Sequence, residues 1–169
     1  GHVMRDGILS HETSGNVLKG PEYLTVFDGL TGAAIDTVNY EPQRHPTAGP
    51  FPTPEQLNEV WGDAYGNRMD RFLACVAYFD GEHPSVMFSR GYYTRTVLAA
   101  WDYKDKKLVK RWLFETANGA RGFMYYQHQG NHSLTAADVD GDGRDEIVFG
   151  SAVFDDDGRG LYTTQLNHG

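Results

Sequence analysis

The sequence is nearly free of cysteine. Cys75 stands alone among 169 residues, so no internal disulfide framework can hold the chain. Its neighbours Leu73, Ala74, Val76 and Ala77 are apolar, which marks a buried, unreactive thiol. Long hydrophobic runs are missing too. No apolar stretch approaches the roughly 20 residues of a membrane-spanning helix, so none is expected to cross a bilayer. Basic charge is scarce: 15 Lys and Arg stand against 23 Asp and Glu, a formal net charge of −8 at pH 7. That balance argues against a nucleic-acid partner, which requires a basic face. It suits either plain solubility or carboxylates gathered to bind cations. Helical periodicity is almost absent. One short segment carries a helix signature, Thr53 to Trp61, opened by Thr53-Pro54-Glu55 with proline at the first helical position.

What the chain does have is aromatic and glycine residues, with 10 Tyr, 9 Phe and 20 Gly. With 40% hydrophobic and 22% charged residues this is a globular composition, and its bias suits many short strands joined by tight turns. Tyr23 to Phe27 and Ala34 to Val38 read as a hairpin around Asp28-Gly29-Leu30-Thr31-Gly32. Thr96 to Trp101 and Leu108 to Phe114 read as a second. Ahead of that lie Leu73 to Phe79 and Ser85 to Ser89, separated by Asp80-Gly81. The same leading pair recurs as Leu134 to Val139 and Glu146 to Gly150, separated by Asp140-Gly141-Asp142-Gly143.

The recurrence has a spacing of about 60 residues, near the upper end of propeller-blade periods. The expected fold is therefore all-β, a partial β-propeller of four-stranded antiparallel blades. Residues 5–60 are expected to supply the outer half of one blade plus a proline-rich loop. Residues 61–116 would form a complete blade, and 117–169 the inner strands of the next. About two and a half blades cannot close a ring, so the remainder is expected from further sequence or from other copies of the chain. A β-sandwich is the alternative. Gly1-His2-Val3-Met4 reads as an expression remnant, and both termini read as cut rather than finished.

The sharpest motif is Asp138-Val139-Asp140-Gly141-Asp142-Gly143-Arg144-Asp145-Glu146. Carboxylates at positions 1, 3 and 5 with glycine at 6 let a short loop wrap a hard cation, and calcium takes such oxygen ligands. Asp138, Asp140 and Asp142 are the expected ligands, with Glu146 closing the shell and Arg144 offering its backbone carbonyl. No helix flanks the loop and no acid sits at position 12, so this is not an EF-hand. An acidic turn that binds nothing is the alternative. A weaker run, Asp155-Asp156-Asp157-Gly158, offers Asp155 and Asp157 to a second cation, or is a solvated turn.

In a four-stranded blade, the loop entering the innermost strand and the loop between strands two and three share one face. Here these loops hold Asn67, Arg68, Arg71, Arg90, Tyr92, Tyr93, Arg95, Asn131 and His132, whereas the opposite face carries plain turns and the acidic loop. Arginines can grip carboxylates bidentately, tyrosines can stack on sugar rings, and His132 can transfer protons near neutral pH. Against this, Arg68 and Arg71 can simply pair with Asp63 and Asp70, the tyrosines can pack between blades, and His132 can be a turn residue.

Gly20-Pro21-Glu22-Tyr23-Leu24-Thr25-Val26-Phe27, Trp61-Gly62-Asp63, Tyr65-Gly66-Asn67-Arg68 and Arg90-Gly91-Tyr92-Tyr93-Thr94-Arg95-Thr96 resemble the rhamnogalacturonan lyases of polysaccharide lyase family eleven. So do Gly130-Asn131-His132, the acidic loop and Asn167-His168-Gly169. The resemblance implies a secreted, eight-bladed propeller stabilised by calcium. It implies cleavage of rhamnogalacturonan I, a pectin, by β-elimination at galacturonate, with His132 and His168 near the catalytic site. Asn67, Arg68, Arg90, Tyr92, Tyr93 and Asn131 are the expected substrate contacts. The match covers only part of the family's catalytic unit, and the segment from Glu41 to Glu59 is longer than its pattern. A non-catalytic calcium propeller for glycan binding or adhesion is the competing reading.

Overall fold

The computed structural model describes residues 16–118 and 123–168. The remnant expected at 1–4 and the terminal Gly169 lie outside the described residues. The first hairpin forms where alternation and turn chemistry place it: β1 (Tyr23–Phe27) pairs antiparallel with β2 (Ala34–Asn39). Asp28 closes the turn by accepting the Thr31 hydroxyl at 2.8 Å and the N–H groups of Thr31 and Leu30 at 2.8 and 3.1 Å. Those hydrogen bonds, the hydroxyl first, hold its carboxyl below the usual range.

Helix α1 (Pro54–Trp61) starts and stops for readable reasons. Thr53 Oγ1 accepts the Gln56 N–H at 3.3 Å, and Gln56 Oε1 accepts the Thr53 N–H at 2.8 Å, a reciprocal capping box. Gly62, left-handed at φ 75°, ends the helix. Leu57 and Trp61 face inward onto Leu18, Met69 and Val97.

Two four-stranded antiparallel sheets follow. The first runs β3 (Phe72–Ala77), β4 (Ser85–Arg90), β5 (Val97–Lys104), β6 (Lys107–Glu115) in sequence order. The second pairs β7 (Leu134–Ala137), β8 (Glu146–Phe149), β9 (Ala152–Phe154) and β10 (Gly160–Thr163) in the same order. The leading strands begin at residues 72 and 134, which matches the repeat read from the sequence. The fold is mostly β, with sheets of 2, 4 and 4 strands. One expectation needs correcting: the last segment supplies a complete four-stranded sheet, not only its inner strands. At three and four residues, β9 and β10 are too short to show a period of two.

Side chains on β5 alternate between two buried surfaces, which is why it reads as the unbroken run Val97-Leu98-Ala99-Ala100-Trp101. Leu98 and Ala100 pack with Phe79, Met87 and Phe114 against Ile147, Phe149 and Phe154 of the second sheet. Ala99, Trp101 and Leu108 face the other way, onto Leu24, Val26 and Val38 of the hairpin. The central sheet is thus covered by the hairpin on one side and the second sheet on the other. Each fully buried Phe contributes on the order of 1.5–3 kcal/mol. Cys75 is partly buried on the edge strand β3, and that burial pushes its thiol pKa up to about 11, so the thiol is inert as expected.

Candidate functional site

The short loop from β4 to β5, Gly91 to Thr96, sits at the same end of the sheets as the segment entering β7, the turn from β8 to β9, and the segment leaving β10. That arrangement gathers residues distant in sequence. Tyr92, only 3% exposed, stacks on His168 with ring centroids 5.1 Å apart and planes 9° from parallel. Its phenol oxygen lies 3.0 Å from His132 Nδ1. Tyr93 meets His168 edge-on at 4.6 Å, and the two imidazoles lie 5.1 Å apart. His132 and His168, 36 positions apart in the chain, therefore share one aromatic cluster with both tyrosines.

The tautomer of His168 follows from its partner. The Gly130 carbonyl, 2.8 Å from Nδ1, can only accept, so Nδ1 carries a proton and the lone pair of the neutral ring lies on Nε2. Burial raises the Tyr92 phenol pKa, with the Arg71 guanidinium acting in the opposite direction by charge and by hydrogen bonding to the phenol. The Tyr92 phenol and His132 Nδ1 share one hydrogen bond, and the tautomer of His132 decides which of them donates. Arg71 also lies 5.5 Å from the Tyr93 ring centroid and donates to Asn67 Oδ1 at 2.5 Å.

Several residues expected at the site have other duties. Arg90 is completely buried: Nη1 and Nη2 meet the two Glu22 oxygens at 2.8 and 3.2 Å, while Nε and Nη1 donate to the Met69 and Pro42 carbonyls. It cannot grip a substrate. Arg95, 2% exposed, pairs with Glu115, donates to the Gln43 and Arg44 carbonyls at 3.2 and 3.0 Å, and lies 4.4 Å from the Trp61 ring centroid. An arginine survives burial only when its donors are met, and these acceptors lie 20 to 68 positions away, out of reach of sequence patterning. Arg68 lies against Gly62. Asp63 folds its own loop by accepting the Tyr65, Gly66 and Arg68 N–H groups, and Asp70 lies 3.7 Å from Arg90, so neither acid takes the ion pair considered for it. Asn131 accepts the Ser133 N–H at 2.8 Å and shapes the turn before β7.

Two residues that place the histidines carried no chemical signal. Gln129, 3% exposed, donates to Asn167 Oδ1 at 3.2 Å and accepts the Thr163 hydroxyl at 3.1 Å, tying the segment before His168 to the loop before His132. Gly150 lets the turn after β8 touch that loop: a Cβ there would lie 2.2 Å from the Gln129 carbonyl oxygen.

The acidic loop lies at the other end of β7. Asp138, Asp140 and Glu146 bring ligand oxygens within 4.8 Å of one another. Asp138 is oriented by the N–H groups of Gly141 and Gly143 at 2.7 and 3.1 Å. Glu146 is fully buried; Oε2 accepts the Val139 N–H at 2.7 Å, but Oε1 has no partner among the described residues. Burial first, then the Asp140 and Asp142 charges, raises the Glu146 pKa. A buried carboxylate oxygen with no donor, facing two further carboxylates, is a donor set that fits a hard cation such as calcium. Asp142 stands outside this group and accepts the Arg144 N–H at 2.9 Å instead. The Arg144 side chain reaches Asp156 at 2.8 Å. In the second acidic run Arg159 pairs with Asp155 and Asp157 at 2.8 Å each.

Residues 1–169 match the model of the family described as rhamnogalacturonan lyase family 11, C-terminal domain. The rhamnogalacturonan exolyase YesX of Bacillus subtilis (strain 168) is 52% identical over 170 residues, covering 100% of this chain and 26% of YesX. The rhamnogalacturonan endolyase YesW of the same organism is 50% identical over 155 residues, covering 92% of this chain and 23% of YesW. The crystal structure of YesX superposes with a TM-score of 0.83 at 54% identity, over 95% of this chain and 24% of that one. That of YesW superposes with a TM-score of 0.85 at 47% identity, over 98% and 26%. The chain thus spans about a quarter of the length of these relatives. With the family model matched over all 169 residues and two curated relatives about half identical, the chain belongs to rhamnogalacturonan lyase family 11.

Proposed function

We propose that this chain is one part of a secreted, calcium-dependent lyase that cleaves rhamnogalacturonan I by β-elimination at galacturonate. Its sheets are then blades of an eight-bladed propeller, and the rest of the ring comes from further sequence of the parent protein. The observation that carries this reading is the convergence of His132, His168, Tyr92 and Tyr93 at one end of the sheets, with Arg71 beside them. Two relatives that contain the matching segment are named as rhamnogalacturonan lyases.

β-Elimination needs a base for the proton beside the uronate carboxylate, positive charge where the enolate develops, and a proton for the departing C4 oxygen. The Nε2 lone pair of His168 can accept a proton. His132, hydrogen-bonded to the Tyr92 phenol through Nδ1, can exchange a proton at Nε2. Arg71 offers charge to the carboxylate, and Tyr93 a ring face to a sugar. Calcium held by Asp138, Asp140 and Glu146 would pin the β7–β8 loop, since a four-residue strand separates that loop from the histidine end.

The test uses the full-length parent with rhamnogalacturonan I and calcium, following the ultraviolet absorbance of the unsaturated uronate. Product is expected from the parent and is expected to fall at least about 100-fold in His132→Ala and in His168→Ala. Absence of unsaturated product from a folded, calcium-loaded parent would overturn the reading.

A further inference from the structure

The two buried arginines, Arg90 and Arg95, bracket the loop that carries the tyrosines. Arg90 is the last residue of β4, Arg95 lies two residues before β5, and Gly91 to Thr94 lie between them. Both guanidinium groups turn toward one stretch of chain. Arg90 Nη1 donates to the Pro42 carbonyl at 3.1 Å, and Arg95 Nη1 donates to those of Gln43 and Arg44 at 3.2 and 3.0 Å. Trp61 Nε1 adds a fourth bond to this stretch, to the Arg44 carbonyl at 2.6 Å. Three consecutive carbonyls of a proline-rich excursion are therefore saturated by donors from the two flanks of the tyrosine loop and from the end of α1.

The clamp continues from the excursion to the rings. The Trp61 ring lies so close to Gly91 that a Cβ there would come within 2.3 Å of it. The Thr94 hydroxyl donates to the Trp61 carbonyl at 2.7 Å. On the far side, the Thr94 carbonyl accepts the His128 N–H at 3.1 Å and the Tyr93 carbonyl accepts His128 Nδ1 at 2.5 Å. The excursion is itself anchored: Arg44 pairs with Glu22 at 3.0 Å and donates to the Val17 carbonyl at 3.1 Å. Charge-assisted bonds from Arg90 and Arg95, continued by the neutral bonds of Trp61, Thr94 and His128, thus join residues 42–44 to the Tyr92–Tyr93 loop and on to the loop that leads into His132. Bonds to charged donors are stronger than neutral ones, and several of them converge on this four-residue loop.

We propose that Arg90 and Arg95 are positioning residues, which lock the Tyr92–Tyr93 loop against the 42–44 segment and so set the Tyr92–His132 hydrogen bond. This rests on the reading of that cluster as the catalytic site. The 41–59 excursion then serves as the anvil on which the tyrosine loop is held. Rigid support of this kind matters because a displacement of about 1 Å at a reacting group costs on the order of 100-fold in rate.

The test compares Arg95→Lys and Trp61→Phe in the full-length parent. Lysine keeps a charge but lacks the fork that lets Arg95 hold Glu115 through Nε and Nη2 while Nη1 serves the two carbonyls. Phenylalanine keeps an aromatic ring beside Arg95, removes the bond to the Arg44 carbonyl and thins the contact with Gly91. Both are expected to lower kcat about ten-fold or more, with KM within about two-fold, and to shift the imidazole nitrogen resonances of His132 in the ¹⁵N-histidine-labelled protein. Unchanged kcat and an unchanged His132 signal in either folded variant would overturn the proposal. If Arg95→Lys does not fold, Trp61→Phe decides. If the wild-type parent forms no unsaturated uronate, the lyase reading fails separately, and the His132 resonances alone decide whether the clamp exists.

Discussion

Replacing Gly150 by alanine tests the placement of the histidine loop with a single methyl group. Gly150 has a left-handed backbone, φ +61°, and its missing Cβ would sit 2.2 Å from the Gln129 oxygen, 2.8 Å from the Gly130 carbonyl carbon and 2.9 Å from the Asn131 nitrogen. An ordinary carbon–oxygen contact is about 3.3 Å or more. The loop from Gln129 to Asn131 must then retreat by about 1 Å, and it is backbone, not the end of a flexible side chain. The left-handed backbone costs alanine about 1–2 kcal/mol, and forcing the overlap adds about 1–3 kcal/mol. Gly32 is the control, because it is also left-handed, φ +71°, yet nothing lies within 4 Å of its Cβ position. Gly32→Ala should show the backbone cost alone. In urea unfolding of the full-length parent, Gly150→Ala is expected to be less stable than Gly32→Ala by about 1–3 kcal/mol. Turnover should drop about 100-fold in Gly150→Ala alone, since the displaced Gly130 carbonyl anchors His168 and the loop leads into His132. Equal stability of the two variants within about 0.5 kcal/mol would refute the close-approach argument. So would wild-type turnover in Gly150→Ala.

Glu146→Gln should have opposite effects on the two forms of the acidic loop. It neutralises a buried, unpartnered carboxylate and should raise the melting temperature in chelator, but it removes a ligand and should weaken calcium binding at least about ten-fold. An equal calcium-induced rise in melting temperature in both proteins would count against Glu146 as a ligand. His45 is buried with Nδ1 accepting the Thr47 and Ala48 N–H groups at 3.1 and 2.9 Å, and burial first, then the Arg95 charge, depresses its pKa, against opposing pulls from Glu59 and Glu115. Because the folded value lies below the unfolded value of about 6.5, the stability it contributes is complete above that pH and is lost as the pH falls through the folded value. His45→Gln should flatten this acid limb in a series of melting temperatures from pH 7 to 4, and an unchanged limb would rule His45 out. Thr53→Ala removes the N-cap of α1 and should destabilise by about 1 kcal/mol, whereas Thr53→Ser should restore nearly all of it.

Local physics was legible in the sequence. The hairpin around Asp28 to Gly32, helix α1 from its Thr53-Pro54 start, the paired strands before and after Asp80-Gly81, and the repeat of that pair around the acidic loop all follow from short-range periodicity and turn chemistry. So did the inert state of Cys75 and the clustering of Asp138, Asp140 and Glu146, because these come from neighbours within a few positions. The short strands β9 and β10 were not legible, since three or four residues carry too few alternations.

The fate of each charged side chain was decided only in three dimensions. Arg71 and Arg90 look alike in sequence, yet one reaches the tyrosines while the other is buried on Glu22, 68 positions away. Asp142 has the spacing of a ligand yet lies outside the trio of Asp138, Asp140 and Glu146, and Asp155 and Asp157 are held by Arg159. The physical reason is common to all of these. Strand and turn formation depends on a residue and its near neighbours, whereas a buried or paired charge depends on which distant donors and carbonyls the packed sheets bring within about 3 Å of it.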